Sequence, residues 1–200
     1  MQLIVITDAG AVNGEATIIN QLFKAGLSRL HLRKPGSTSR QTCALLDQID
    51  AAFYNRIALH QHHQVAQIYR IKRLHYTALV RKKVPPALLG ALQMQGYTLS
   101  TSIHDLAELD SLKTFDHTFF GPVFNSLSKP GYNSSLPPAF RVDKREAKPQ
   151  IIALGGITSE QLPTVKAMGF DGAAVLGSIW NEPDNALRTF EQLKNIANTL

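Results

Sequence analysis

The 200-residue sequence has one cysteine, Cys43, so it cannot form an internal disulfide. Cys43 stands in a helical pattern with no base beside it in sequence. It reads as a small apolar packing residue rather than a nucleophile. Long apolar runs are missing: none approaches the ~20 residues needed to cross a bilayer. The chain does not open on a basic stretch followed by a long apolar segment, so the expectation is a cytoplasmic protein with no membrane anchor. Acidic residues are scarcer than basic ones, 15 against 21, for a formal charge of +6. Yet the sequence has no basic helix and no alternation of aromatic and basic residues, and its basic run Arg81-Lys82-Lys83 is short. That argues against nucleic acid as a partner and for a small anionic metabolite.

Also missing is a Gly-x-Gly-x-x-Gly turn after the first strand-like run, where Asp8-Ala9-Gly10-Ala11 stands. This weakens a dinucleotide-binding reading. What the chain does have is a steady alternation of short apolar runs and longer helical ones. Strands are expected at 3–7, 29–32, 56–60, 73–76, 97–102, 117–121, 150–154 and 172–176. Runs such as Ile151-Ile152-Ala153-Leu154 suit parallel strands covered on both faces. Helical segments are expected at 16–25, 41–53, 86–95, 105–112, 159–168 and 183–198. Thr158 with Gln161 forms a capping-box pattern, and Gly26 and Gly169 fall where helices stop. The fold class is therefore α/β, a (β/α)8 TIM barrel forming one domain over residues 1–200.

Barrels of this kind put their chemistry at the C-terminal ends of the strands. The last two strand ends carry Gly155-Gly156 and Gly177-Ser178. Glycines there let backbone N–H groups approach phosphate oxygens. Arg33 and Lys34 follow the second strand and add a guanidinium fork and a point charge. The 122–138 stretch is rich in Asn, Ser, Pro and Gly, and its Lys129 is expected to fold over a bound anion. His31, His60, His75 and His104 fall near strand ends and are read as polar lining of one pocket. No metal ligands are assigned, because no His-x-x-x-His pair or carboxylate pair accompanies them. His31 and His104 are the acid–base candidates, since imidazole titrates near neutral pH.

Taken together, these blocks resemble the thiamin phosphate synthase / TenI family. His31-Leu32-Arg33-Lys34 is similar to its second-strand Gln/His-x-Arg-x-Lys block, and Ser100-Thr101-Ser102-Ile103-His104 to its Gly-x-Ser-x-His strand. Gly121-Pro122-Val123-Phe124 followed by Ser126-Leu127-Ser128-Lys129 resembles Gly-Pro-Val/Ile-Phe-x-Thr-x-Thr-Lys, with serines for threonines. Leu154-Gly155-Gly156-Ile157 and the run 169–175 resemble its last two blocks. The resemblance implies a substrate site using Arg33, Lys34, His60, Ser102, Ser126, Ser128, Lys129, Gly155, Gly156, Gly177 and Ser178. It implies a phosphorylated thiazole or thiamin phosphate as ligand.

The family has two activities. The synthase joins a pyrimidine diphosphate to a thiazole phosphate and releases pyrophosphate, with Mg²⁺ held by two aspartates. The TenI branch isomerises a thiazole carboxylate phosphate by moving a proton. Here the Asn-Asp-Arg block reads His60-Gln61-His62, and no carboxylate occurs in the 75–80 run after strand four. The TenI acid–base histidine is replaced by Pro122. The expectation from sequence is a TenI-like tautomerase without an assigned cofactor. The alternatives are a synthase with an altered metal site, where Mg²⁺ would be needed, and a non-catalytic phospholigand-binding protein. A homodimer is left open.

Overall fold

The computed structural model describes residues 1–125, 134, 136–137, 139–143 and 149–200. Along these the chain runs β1 (Gln2–Ile6), α1 (Glu15–Lys24), β2 (Leu30–Leu32), α2 (Ser39–Leu46), β3 (Ile57–Leu59) and β4 (Arg73–Tyr76). Then follow α3 (Ala78–Arg81), α4 (Pro86–Met94), β5 (Thr98–Ile103), β6 (His117–Phe120) and β7 (Gln150–Leu154). The chain finishes with α5 (Leu162–Ala167), β8 (Gly172–Val175), α6 (Gly177–Trp180) and α7 (Ala186–Thr199). Each strand pairs in parallel with the next, and β8 returns to β1, so the sheet closes into a (β/α)8 barrel. No helix among the described residues is long and apolar enough to cross a membrane.

Strand positions match the sequence pattern to within a residue or so, but several helices do not. The helix expected over 41–53 ends at Leu46 and restarts as a 3-10 turn, Ala51–Arg56. The Asn20 amide causes the break by donating to Gln48 O (3.0 Å) and accepting from the Asp50 N–H (2.9 Å). Asp50 then caps the new turn through Ala52 N–H. The segment expected as a helix over 105–112 is a 3-10 turn, Leu106–Ser111, and a further 3-10 turn, His63–Gln67, connects β3 to β4. The Thr158–Gln161 cap forms, with Thr158 N–H donating to Gln161 Oε1 at 2.8 Å.

Two layers of side chains face opposite sides of the sheet. Leu3, Val5, Leu30, Leu32, Leu59, Leu99 and Val175 point outward and join the helices in the larger core. The barrel interior is divided. Ile4, Ile6, Phe119, Ile152 and Ala174 fill one part of it with apolar groups. The other part is imidazole. Register sets His75 beside Ser100 and Ser100 beside His117, so these three share the inward face. The Leu59–Leu74 pairing puts His60 beside His75 in the same way. Barrel interiors are usually packed with branched aliphatic residues, so this cluster of histidines is a local choice of the sequence.

Candidate active site

A cavity of about 200 Å³ opens at the C-terminal ends of the strands. Arg33, His60, Ser102, His104, Gly155, Gly156, Gly177 and Ser178, all expected from sequence to form the site, line it together. The two glycine turns belong to a single wall, because Ser178 Oγ donates to the Ile157 carbonyl and ties the β8 turn to the β7 turn. Gly155 and Gly156 have φ of 106° and 62°, a region that side-chain-bearing residues rarely occupy. There is also no room for a side chain: a Cβ on Gly156 would lie 2.1 Å from Asn125 O. The loop after β6 lies against this turn, with Val123 N–H donating to Leu154 O (2.9 Å) and Phe124 N–H to Gly155 O (3.1 Å).

Arg33 is held at its backbone. Its N–H donates to Thr7 Oγ1 at 2.8 Å, and Thr7 Oγ1 donates back to Arg33 O at 3.1 Å. Among the described residues its guanidinium belongs to no ion pair, and none of the residues lining the cavity is Asp or Glu. The cavity is thus electropositive without a fixed counter-charge. His104 Nδ1 contacts the Gly121 carbonyl. A carbonyl only accepts, so Nδ1 carries a proton, and proton exchange with a ligand falls to Nε2.

Two residues expected at the site are placed elsewhere. Lys34 is buried, 2.7 Å from Glu15 Oε1, and also donates to Gly10 O. It joins the β1 and β2 loops and does not line the cavity, because the buried Glu15 carboxylate holds it. His31 lies beneath the cavity floor, fully buried, with Nδ1 2.9 Å from His60 Nε2. Ser126, Ser128 and Lys129 lie outside the described residues.

From the cavity floor downward the histidines make a continuous cluster. His60 and His75 lie face to face with ring centroids 3.9 Å apart, and His31 meets both edge-on at 5.1 and 5.6 Å. His75 is held between Ser100 Oγ (3.0 Å) and Ser102 Oγ (3.1 Å). Burial, then neighbouring positive groups, pushes His31, His60 and His75 well below the usual imidazole range, so all three are neutral at pH 7. His117 is lowered to about 3, by burial and then by Arg29 and Arg73.

The chain matches a family model, TMP-TENI, described as thiamine monophosphate synthase, over residues 3–179. It belongs to this family. A thiamine-phosphate synthase of Yersinia pestis is 27% identical over 80% of this chain and 77% of its own length. One from Syntrophomonas wolfei is 23% identical over 91% and 90%. One from Rhizobium etli is 33% identical, though the match spans only 52% of this chain and 53% of that protein. The crystal structure of a thiamine phosphate pyrophosphorylase from Bacteroides thetaiotaomicron superposes with a TM-score of 0.75 at 26% identity, covering 99% and 98% of the two chains.

Within the TMP-TENI family the resemblance implies a Mg²⁺ site, and the residues present do not fit that ion. Mg²⁺ takes hard oxygen ligands, typically one or two carboxylates with substrate oxygens. His60-Gln61-His62 and the 75–80 run supply no carboxylate, and Gln61 Oε1 already accepts the Lys34 N–H at 2.8 Å. The sequence reading placed His75 only among the polar lining of the pocket and did not single out His117. The signal for both was the alternation His/apolar in β2 and β4 and Ser/apolar in β5, which marks a half-polar barrel interior.

Proposed function

We propose that this protein is a thiamin phosphate synthase-type transferase: it joins a pyrimidine diphosphate to a thiazole phosphate and releases pyrophosphate. The observation that carries the reading is the convergence of Arg33 and the two glycine turns on one uncountered electropositive cavity, in a chain of this family. In this reading the amides of Gly156 and Gly177 donate to a phosphate. Arg33 grips anionic oxygens with its planar fork. Both act on charge that grows on the leaving group, which is where preorganised donors contribute most. Ser102 supplies a hydroxyl to the same cavity. Lys129, Ser126 and Ser128 are proposed as substrate-binding residues, as their place in the family's block implies.

A second reading, the TenI-like tautomerase, is favoured by Nε2 of His104 at the cavity, an acid–base group in the right place for a proton shift. One assay separates the two. Purified protein is given the pyrimidine diphosphate and thiazole phosphate with Mg²⁺, and separately with Zn²⁺, while pyrophosphate and thiamin phosphate are measured. The same protein is then given the thiazole carboxylate phosphate. Equal release of both products supports the transferase. Isomerisation alone transfers the conclusion to the tautomerase. Calorimetric binding of thiazole phosphate with no turnover of either kind identifies a non-catalytic binder.

A further inference from the structure

We infer that His31, His60 and His75 form a divalent-metal site of borderline type, zinc being the best match, with its remaining coordination position facing the cavity. One nitrogen from each of the three can be chosen so that all lie within 4.8 Å of one another. These rings come from three successive strands, β2, β3 and β4, so the barrel itself sets their spacing.

The chemistry of the donor set is that of a zinc site. A metal takes imidazole through a ring-nitrogen lone pair, and three imidazoles meet here in the barrel interior. Imidazole suits zinc, copper, iron and nickel, whereas Mg²⁺ prefers oxygen. Zinc sites with three protein ligands and an open fourth position are the catalytic kind. Zn–N bonds of about 2.0–2.1 Å place tetrahedral ligand atoms roughly 3.3 Å apart. His31 Nδ1 and His60 Nε2, at 2.9 Å, are already near that separation. His75 closes the set by tilting out of its stack on His60. In doing so it keeps one ring nitrogen on a serine hydroxyl, Ser100 or Ser102. Metal-bound histidines characteristically keep such a partner on the second nitrogen.

A further observation points the same way. His60 and His75 both line the cavity, so an ion held here is reachable by an anionic oxygen of a ligand. That oxygen would supply the negative charge the protein does not, since no carboxylate lines the cavity. The site deepens the transferase reading by giving it a cation where the aspartates are missing. The test uses metal alone, so its failure is distinct from failure of that reading.

Chelator-treated wild-type protein is titrated with Co²⁺ and with Zn²⁺. The expected result is one equivalent bound, with the visible bands of four-coordinate Co²⁺, and no displacement by excess Mg²⁺. His60→Ala is expected to weaken binding by about a hundredfold, while Cys43→Ala, on α2 outside the barrel interior, leaves it unchanged. X-ray absorption on Zn²⁺-loaded wild-type protein is expected to count three imidazoles, independent of how any variant folds. Absence of a stoichiometric ion, an unchanged affinity in His60→Ala, or a ligand shell without three imidazoles overturns the proposal.

Discussion

Arg33 and Lys34 are neighbours of like charge with opposite fates. Arg33 faces the cavity with no acidic partner among the described residues, and Lys34 is locked to Glu15. Removing Arg33 should therefore leave the fold intact and weaken ligand binding. Arg33→Met is expected to lower affinity for pyrophosphate, the leaving group, by about 1.5–3 kcal/mol, the usual worth of hydrogen bonds to charged groups. Calorimetry measures it, and Arg33→Lys should recover only part, because an ammonium lacks the fork. Lys34→Met should do the reverse. It strands a buried carboxylate whose pKa burial already raises, and breaking such a pair costs about 3–5 kcal/mol. Urea unfolding would show that loss; a stable variant with weakened ligand binding would instead put Lys34 in the site. From sequence the two are indistinguishable, because the residue that separates them, Glu15, sits at the start of α1 and is brought near only when β1 and β2 pair.

At the scale of elements, what could be read in advance was whatever depends on local pattern. The eight strands were legible because two-sided burial leaves a compact apolar signature. The glycine turns were legible because φ near 62° or 106° needs glycine. The break after α2 was not, since it depends on Asn20, whose amide reaches the 48–50 turn across the fold. The histidine cluster was half legible. The strand ends carried the residues, but which rings touch depends on the register between strands. The packing of the β6 loop on the β7 turn yields its own prediction. Gly156→Ala must change φ and push Asn125 O away from a position 2.1 Å from the new Cβ. A loss of about 1–3 kcal/mol is expected, with weaker anion binding, since the displaced turn carries the amides proposed to donate. Chemical denaturation and phosphate titration of the same variant check both parts. A variant that keeps wild-type stability and affinity would mean that the loop yields without cost.

For the whole molecule, the divided barrel interior makes stability depend on pH in a definite direction. His31, His60, His75 and His117 are buried neutral, with folded pKa values depressed below the ordinary imidazole value. Above about pH 6.5 the folded and unfolded chains hold the same number of protons on these rings, and stability is flat. Below it, the unfolded chain takes up protons that the folded barrel refuses. Each group then loses up to about 1.4 kcal/mol per pH unit until its folded pKa is reached, which for His117 is about 3. Four such rings acting together remove roughly 5 kcal/mol per unit, against a total stability of about 5–15 kcal/mol for a domain. Metal-free protein should therefore unfold between about pH 5.5 and pH 3.5. Urea midpoints at pH 8, 7, 6 and 5 test this: near-equal values at 8 and 7, then a steep fall. A midpoint that stays level down to pH 5 would mean that the rings reach solvent or accept protons in place, and the polar half of the barrel would then be wet rather than packed.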